Sequence, residues 1–254
     1  GNTAMATHGE TTQEILGSAD AMNAALQFTL RQSPLTYTSS SSALGSQSTL
    51  EVWVNNLEWH ETDTFLKAGP ADRVFVTTVN SSGNTVVQFG DGVSGARTPT
   101  GQLNIRAVYR KGIGSSGMVQ AGQLSQPLDR PQGLKGAVNP DAAAGGADPD
   151  TAANARTSAP LYTLTLNRVV SLEDYLNFAR AFAGIGKALA TWTWFGDTRG
   201  VFLTVAGTAG ATFQAGDAAV VNLASALRKA GNPFVPIRVA SYTPVLFQIA
   251  AAIQ

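Results

Sequence analysis

The chain has 254 residues, of which 44% are hydrophobic, so it is long enough for one large or two ordinary domains and has no disorder-like composition. Its 17 basic and 17 acidic residues cancel, which argues against nucleic-acid binding and against attraction to an anionic membrane. It has no cysteine, which excludes disulfides and thiol chemistry, and no apolar run of the roughly 20 residues that a membrane helix needs.

Residues 27–110 have the pattern of β-structure, with short runs rich in Val, Thr and aromatic residues between Gly, Asn and Ser. Two hairpins are predicted, at residues 51–54 with 57–59 and at 74–79 with 85–89. The first has Asn55 and Asn56 at its turn, where a two-residue loop requires positive φ. A further strand is predicted at 103–110, with the apolar Leu103, Ile105, Ala107 and Tyr109 on one face and the polar Asn104, Arg106 and Arg110 on the other.

Residues 126–160 are rich in Pro and Gly and are predicted to connect two domains. Asp148 and Pro149 have the form of an N-cap and first helical residue, so one short helix is expected within the connector. The predicted division is therefore a β-rich domain at 1–125, the connector at 126–160 and a second domain at 161–254.

The second domain is predicted to alternate strands and helices. Its predicted elements are a strand at 162–166 or 168–170, a helix between a cap at Ser171 and a stop at Gly184, strands at 188–195 and 201–206, a helix at 217–230, and strands at 237–241 and 244–253. This β-α-β-β-α-β order is that of a ferredoxin-like plait, and the fold class is α+β. Because the chain begins at Gly1 and stops within a predicted strand, we expect it to be part of a longer polypeptide.

Charge is sparse and unevenly distributed. Charged residues make up 13% of the chain, about half of the ~25% usual for soluble domains. Residues 1–96 hold nine acidic and three basic residues, while residues 97–254 hold eight acidic and fourteen basic ones. Either the acidic and basic parts pair between copies of the chain or with partners, or these charges simply solvate two separate domains.

The sequence contains no motif that predicts a catalytic site. Residues 112–117 match a dinucleotide-binding fingerprint in text, but the prolines that follow leave no room for the helix it requires, so a glycine-rich turn is predicted. His60 has Glu58, Glu61 and Asp63 nearby, which leaves open a metal site or a metal-dependent enzyme, although a solvated hairpin end is favoured. No nucleophile elbow or phosphate loop occurs, and neither an enzyme nor a cofactor is predicted.

The four tryptophans allow two interpretations. Exposed aromatic residues on strands can stack on sugar rings, which would make this a carbohydrate- or surface-binding module, with Trp53 and Trp59 as the residues to test. Tryptophans more often pack across strands. Trp192 and Trp194 share one face of their strand and are predicted to lie in the core under the helices.

Several stretches taken in order resemble the baseplate J-like family of contractile phage tails and phage-tail-like injection particles. They are ATHGET at 6–11, FTLRQSPLTY at 28–37, FGDGVSGAR at 89–97, YRKGIG at 109–114, NP at 139–140, GGADP at 145–149 and RVVSLEDY at 168–175. The blocks keep their order from residue 6 to residue 175. The candidate interface or tight-turn residues within two of them are Gly90, Asp91, Gly92, Gly95, Arg97, Arg110, Lys111, Gly112 and Gly114.

The resemblance implies a structural wedge subunit of a baseplate, present in several copies, that links a central hub to the sheath and rearranges on contraction. Its implied partners are other wedge subunits, copies of itself, and hub and sheath proteins, with no nucleic acid and no membrane insertion. The resemblance also implies that the protein is assembled in the bacterial cytoplasm into a particle, which some systems release from the cell. The expectation is of a structural protein without enzymatic activity, metal or cofactor.

Overall fold

The chain is α+β, with a large N-terminal sheet and few helices. The computed structural model describes residues 7–143, 145–150, 155–156, 160–161 and 168–245. Contacts between residues divide it into two compact units, one formed by Gly1–Thr38 with Ser48–Asp148 and the other by Ser39–Gln47 with Pro149–Gln254. No helix in the described part of the chain has the length and apolar character to cross a membrane.

The first unit is built on a seven-stranded sheet of order β1-β9-β5-β6-β7-β8-β2. Its strands are β1 (Glu10–Ala19), β2 (Gln27–Thr29), β5 (Glu51–Val54), β6 (Leu57–Glu61), β7 (Val74–Val79), β8 (Thr85–Phe89) and β9 (Gly101–Lys111). All neighbours are antiparallel except β6 and β7. Two further strands, β3 (Tyr37–Ser39) and β4 (Ser46–Ser48), pair with each other.

Both predicted hairpins are confirmed. β5 and β6 turn through Asn55 and Asn56 at φ of 51° and 63°, the positive values that a two-residue hairpin turn requires. β7 and β8 have the predicted bounds. The strand β1 was not predicted, because its ten residues include polar ones and its pairing with β9 is distant in sequence.

The sheet curls around an apolar core. A Cβ on Gly17 of β1 would lie 2.7 Å from Cε1 of Phe28 in β2, so the first and last strands of the order meet. Phe89 is the centre of an aromatic group, with edge-on contacts to Trp59 and Phe28 at ring-centroid distances of 5.3 and 6.2 Å. The core therefore combines residues from strands at both ends of the order.

The prediction for β9 is confirmed for three residues and wrong for one. Ile105, Ala107 and Tyr109 are buried, whereas Leu103 is 65% exposed and has φ of 46°. The register jumps here, because Gly17 pairs with Ile105 while Ala19 pairs with Gly101. The extra residues of β9 form a bulge, and a bulge turns a side chain away from its expected face.

The second unit packs two helices, α1 (Leu172–Ala181) and α2 (Ala218–Ala230), with a three-stranded sheet of β10 (Ile185–Phe195), β11 (Thr198–Gly207) and β12 (Ile237–Ser241). α1 begins at the predicted cap: the Ser171 hydroxyl accepts from Asp174 N, and the Asp174 carboxylate accepts from Ser171 N. The backbone N–H of Val170 also donates to this carboxylate, and the two backbone donors, Ser171 first, lower the pKa of Asp174.

The predicted ferredoxin-like plait is not confirmed. β11 pairs directly and in parallel with β12, whereas a plait places its first strand between the two. The predicted strand at 162–166 lies outside the described residues, and the alternative at 168–170 forms no strand. The predicted strand at 244–253 and the connector helix also fall largely outside the described residues.

Candidate functional site

The loop at 90–97 is folded around Asp91. One carboxylate oxygen of Asp91 accepts hydrogen bonds from the backbone N–H groups of Val93 and Ser94, at 2.8 and 2.7 Å. These two donors, Ser94 first, lower the pKa of the Asp91 carboxyl. The carboxylate therefore holds the loop in its turn, while Val93 at the tip is exposed.

Glycine permits the close packing of this loop. A Cβ on Gly90 would collide with the backbone of Gly95, and a Cβ on Gly92, whose φ is 88°, would lie 2.8 Å from Nε of Arg97. Arg97 folds across Gly92, and its Nε donates to the Asp91 carbonyl at 2.5 Å. The loop residues singled out by sequence therefore contact one another.

A second group surrounds the end of β9. The Arg110 guanidinium donates to the carbonyls of Thr7 and Gly9 at 2.7 and 2.9 Å, and it also contacts the Thr7 hydroxyl. Lys111 Nζ lies 3.3 Å from a Glu10 carboxylate oxygen and 3.3 Å from Oε1 of Gln32. Both cations therefore bind groups near the N-terminal end of the described chain.

The glycine-rich segment after β9 receives the His8 ring. The backbone N–H of Ile113 donates to Nε2 of His8 at 3.2 Å, and a Cβ on Gly117 would collide with the imidazole. Residues Gly114–Gly117 form a single 3-10 turn, in line with the predicted glycine-rich turn. Asp148 accepts from the Ser115 hydroxyl at 2.7 Å and from its backbone N–H at 2.9 Å, and these bonds, the hydroxyl first, lower the pKa of Asp148.

The nine sequence-predicted residues form two groups rather than one site. Arg97 precedes the start of β9 and Arg110 lies near its end, and an 11-residue strand at about 3.3 Å per residue spans more than ~30 Å. In both groups an arginine donates to main-chain carbonyls of the same chain, and each tip exposes one apolar side chain, Val93 or Ile113. Both groups are therefore loops that internal hydrogen bonds hold in place and that expose an apolar side chain at the tip.

A buried polar network beside β9 was not predicted. The Tyr109 hydroxyl donates to Oε1 of Glu14 at 2.9 Å and accepts from the Gln32 N–H at 3.1 Å. The Glu14 side chain is only 8% exposed, and its other oxygen lies 3.6 Å from Nε of Arg31. Burial first, and then Glu14, raise the pKa of Tyr109 to about 12. An isolated Glu in an unpredicted strand gave no sequence signal for this network.

His60 shows no metal-site geometry in the described part of the chain. Among those residues, no group of three or more His, Asp or Glu side chains could hold a metal ion. Glu61, one of the acids near His60 in sequence, instead accepts from the hydroxyls of Ser48 and Thr77. His60 itself is exposed on β6 beside Val74.

The tryptophans are placed differently from expectation. Trp59 is 4% exposed and cannot stack on a sugar, while Trp53 is half-buried with the Arg106 guanidinium 4.7 Å from its ring centroid. The predicted burial of Trp192 and Trp194 is wrong, because they are 39% and 69% exposed. They lie on the core-facing side of β10 but beyond Ala190, the last buried residue of the strand.

Within the second unit, the segment Ser39–Gln47 packs on the helices. A Cβ on Gly45, whose φ is 77°, would lie 2.7 Å from Cδ1 of Phe182, so the backbone rests on that ring. The N–H of Ala183 donates to the Leu44 carbonyl at 3.0 Å, and Asn222 Nδ2 donates to the Ser39 hydroxyl at 2.9 Å. These contacts were not predicted, because the partners are distant in sequence.

Comparison with known families gives a match within the second unit. Residues 167–240 match the family model described as Baseplate J-like central domain. The matched range contains α1, α2, β10 and β11, and all of β12 except its last residue. No curated protein matches the chain.

Proposed function

Because residues 167–240 make this chain a member of the baseplate J-like family, we propose that it is a structural subunit of the baseplate of a contractile, phage-tail-like particle. The family is structural rather than enzymatic. The match to residues 167–240 is the observation that carries the proposal, and the ordered blocks that extend the resemblance from residue 6 to residue 175 agree with it.

More specifically, the chain acts as a wedge subunit that links a central hub to the sheath and rearranges on contraction. Its partners are other wedge subunits, copies of itself, and hub and sheath proteins. The low charge content supports this, because a chain with only 13% charged residues has few hydrated charges to bury when neighbouring subunits cover it. The fixed loops that expose Val93 and Ile113 are suited to contacts with such neighbours.

We propose a β-rich domain at 1–125 and a second domain at 161–254, joined by a connector at 126–160. The described residues from 118 to 143 contain no helix or strand, which agrees with a connecting role. Assembly takes place in the bacterial cytoplasm, and the finished particle is released in systems that act outside the cell.

The test is co-expression of the protein with the products of the genes that neighbour its own, followed by purification and electron microscopy. The proposal expects the chain to co-purify with tail components and to lie at the end of the particle. Separate assays of glycan and nucleotide hydrolysis are expected to show no turnover. A monomer that binds none of these neighbours, or turnover that a point mutation abolishes, would contradict the proposal.

A further inference from the structure

The outer half of β10 leaves the core and carries two exposed tryptophans. Residues two apart on a strand point to the same side, so Trp192 and Trp194 continue the row of the buried Ala188 and Ala190. In the described residues, nothing buries this end of the row as the helices bury its beginning. An apolar surface therefore lies on the hairpin of β10 and β11.

β10 is also an edge strand of the described sheet, whose order is β10-β11-β12. Natural edge strands are commonly protected against pairing by lysines, prolines or bulges. β10 has Lys187 and a register shift at its start, but residues 188–195 contain no charged residue and no proline. Such a run of apolar, β-branched and aromatic residues favours pairing with a further strand.

A stacked cation lies beside this edge. The Arg199 guanidinium is stacked on Trp192, with Cζ 4.9 Å from the ring centroid. Among the described residues, no carboxylate forms an ion pair with Arg199. Stacking holds the planar group in place and leaves its N–H donors free for a carboxylate.

We propose that the outer half of β10 binds an extended segment of another protein, which adds as a strand and presents a carboxylate to Arg199. Main-chain hydrogen bonds would supply affinity, and the Trp192, Trp194 and Arg199 side chains would supply selectivity. The charge of the unit favours an acidic segment, because residues 149–254 hold eight basic and five acidic residues. This surface goes beyond the proposed tail function, and it stands or fails independently of that role.

The experiment uses the whole chain as bait for a displayed library of random short peptides. Enriched peptides are synthesised and their affinities measured by fluorescence anisotropy. The proposal expects alternating apolar residues with at least one Asp or Glu, and slower hydrogen exchange of backbone amides 191–195 when peptide is bound. Arg199→Gln is expected to weaken binding roughly tenfold. Replacing the peptide's Asp or Glu by Asn or Gln should weaken its binding to the wild-type chain by the same factor. The same replacement should leave the affinity for the Arg199→Gln variant unchanged.

The matched control is Arg238→Gln. Arg238 is also exposed and on the same sheet, but it pairs with Phe202 and therefore lies on the opposite face from Arg199. It should leave peptide affinity unchanged, and circular dichroism should show that both variants are folded. Trp192→Ala should abolish binding.

Four results would overturn the proposal. They are a library without enrichment, peptides that bind Arg199→Gln and Trp192→Ala as well as the wild type, and amides 191–195 that are already as protected in the free chain as those of β11. The fourth is Trp192-dependent binding to a glycan array in place of peptide binding.

Discussion

Replacing Gly92 by alanine is expected to destabilise the first unit by about 2–3 kcal/mol. A left-handed backbone such as the φ of 88° at Gly92 costs an L-residue about 1–2 kcal/mol. The new Cβ would also lie 2.8 Å from Nε of Arg97, so that side chain must move. Its movement breaks the bond from Nε to the Asp91 carbonyl, which is worth about 1 kcal/mol.

Gly83→Ala is the matched control, because Gly83 has a φ of 80° and a Cβ there would have no neighbour within 4 Å. It should cost only the backbone contribution of about 1–2 kcal/mol. Gly92→Ala made in an Arg97→Ala background should likewise cost about 1–2 kcal/mol, because the clashing side chain is gone.

The free energies are obtained from urea unfolding followed by tryptophan fluorescence, with the slope against urea checked for each variant. Equal losses for Gly92→Ala and Gly83→Ala would refute the reasoning. So would a Gly92→Ala loss that is unchanged when Arg97 is removed, since the two side chains would then be uncoupled.

Three further predictions concern the polar network, the tryptophans and the first helix. Tyr109→Phe should cost about 1.5–3 kcal/mol in urea unfolding, because the buried Glu14 carboxylate loses a donor. The folded-state pKa of Tyr109, about 12, lies above the ordinary 10.0, so wild-type stability should fall as pH rises between those values, and Tyr109→Phe should lack that part of the fall; identical pH curves would contradict the network. Trp59→Ala should lower the free energy of unfolding by about 3–5 kcal/mol, whereas Trp194→Ala should change it by less than about 0.5 kcal/mol, because only Trp59 is in the core. Both values come from urea unfolding, and similar losses would contradict the assigned burial. Ser171→Ala should lower the free energy of unfolding by about 1 kcal/mol, whereas Ser171→Asp should keep most of that stability, because a serine or an aspartate side chain can accept from the N–H of Asp174. An unaffected thermal unfolding curve for Ser171→Ala would contradict the cap.

Elements determined by local pattern were predictable from the sequence. The Asn55 and Asn56 turn, the Ser171 cap and the periodic apolar face of α2 each depend on residues close together in the chain. The strands β7, β8 and β12 also have the predicted bounds. These features need no knowledge of what packs against them.

Features determined by distant contacts were not predictable. The bulge that exposes Leu103 arises from the register of β9 against β1. The direct pairing of β11 with β12 depends on which strands become neighbours in the sheet. Alternation correctly placed Trp192 and Trp194 on one face of β10. It could not show that the covered part of that face ends at Ala190.

For the candidate site, the sequence nominated residues but could not indicate the groups that they contact. Nothing near Arg110 indicates that its guanidinium binds the carbonyls of Thr7 and Gly9, about a hundred residues earlier. Nothing near Gly45 indicates that it contacts Phe182. Both contacts join residues that are far apart in the sequence, so residue spacing cannot predict them.

The most direct test of the structural role is to locate the native protein in its producing cells. Particles purified from those cells would be examined by mass spectrometry and by immunogold electron microscopy with an antibody against residues 7–143. A baseplate subunit should be present in the particle fraction, with gold at the sheath end that carries the baseplate. Recovery of the protein only from the soluble monomer fraction, with unlabelled and complete particles, would contradict the account.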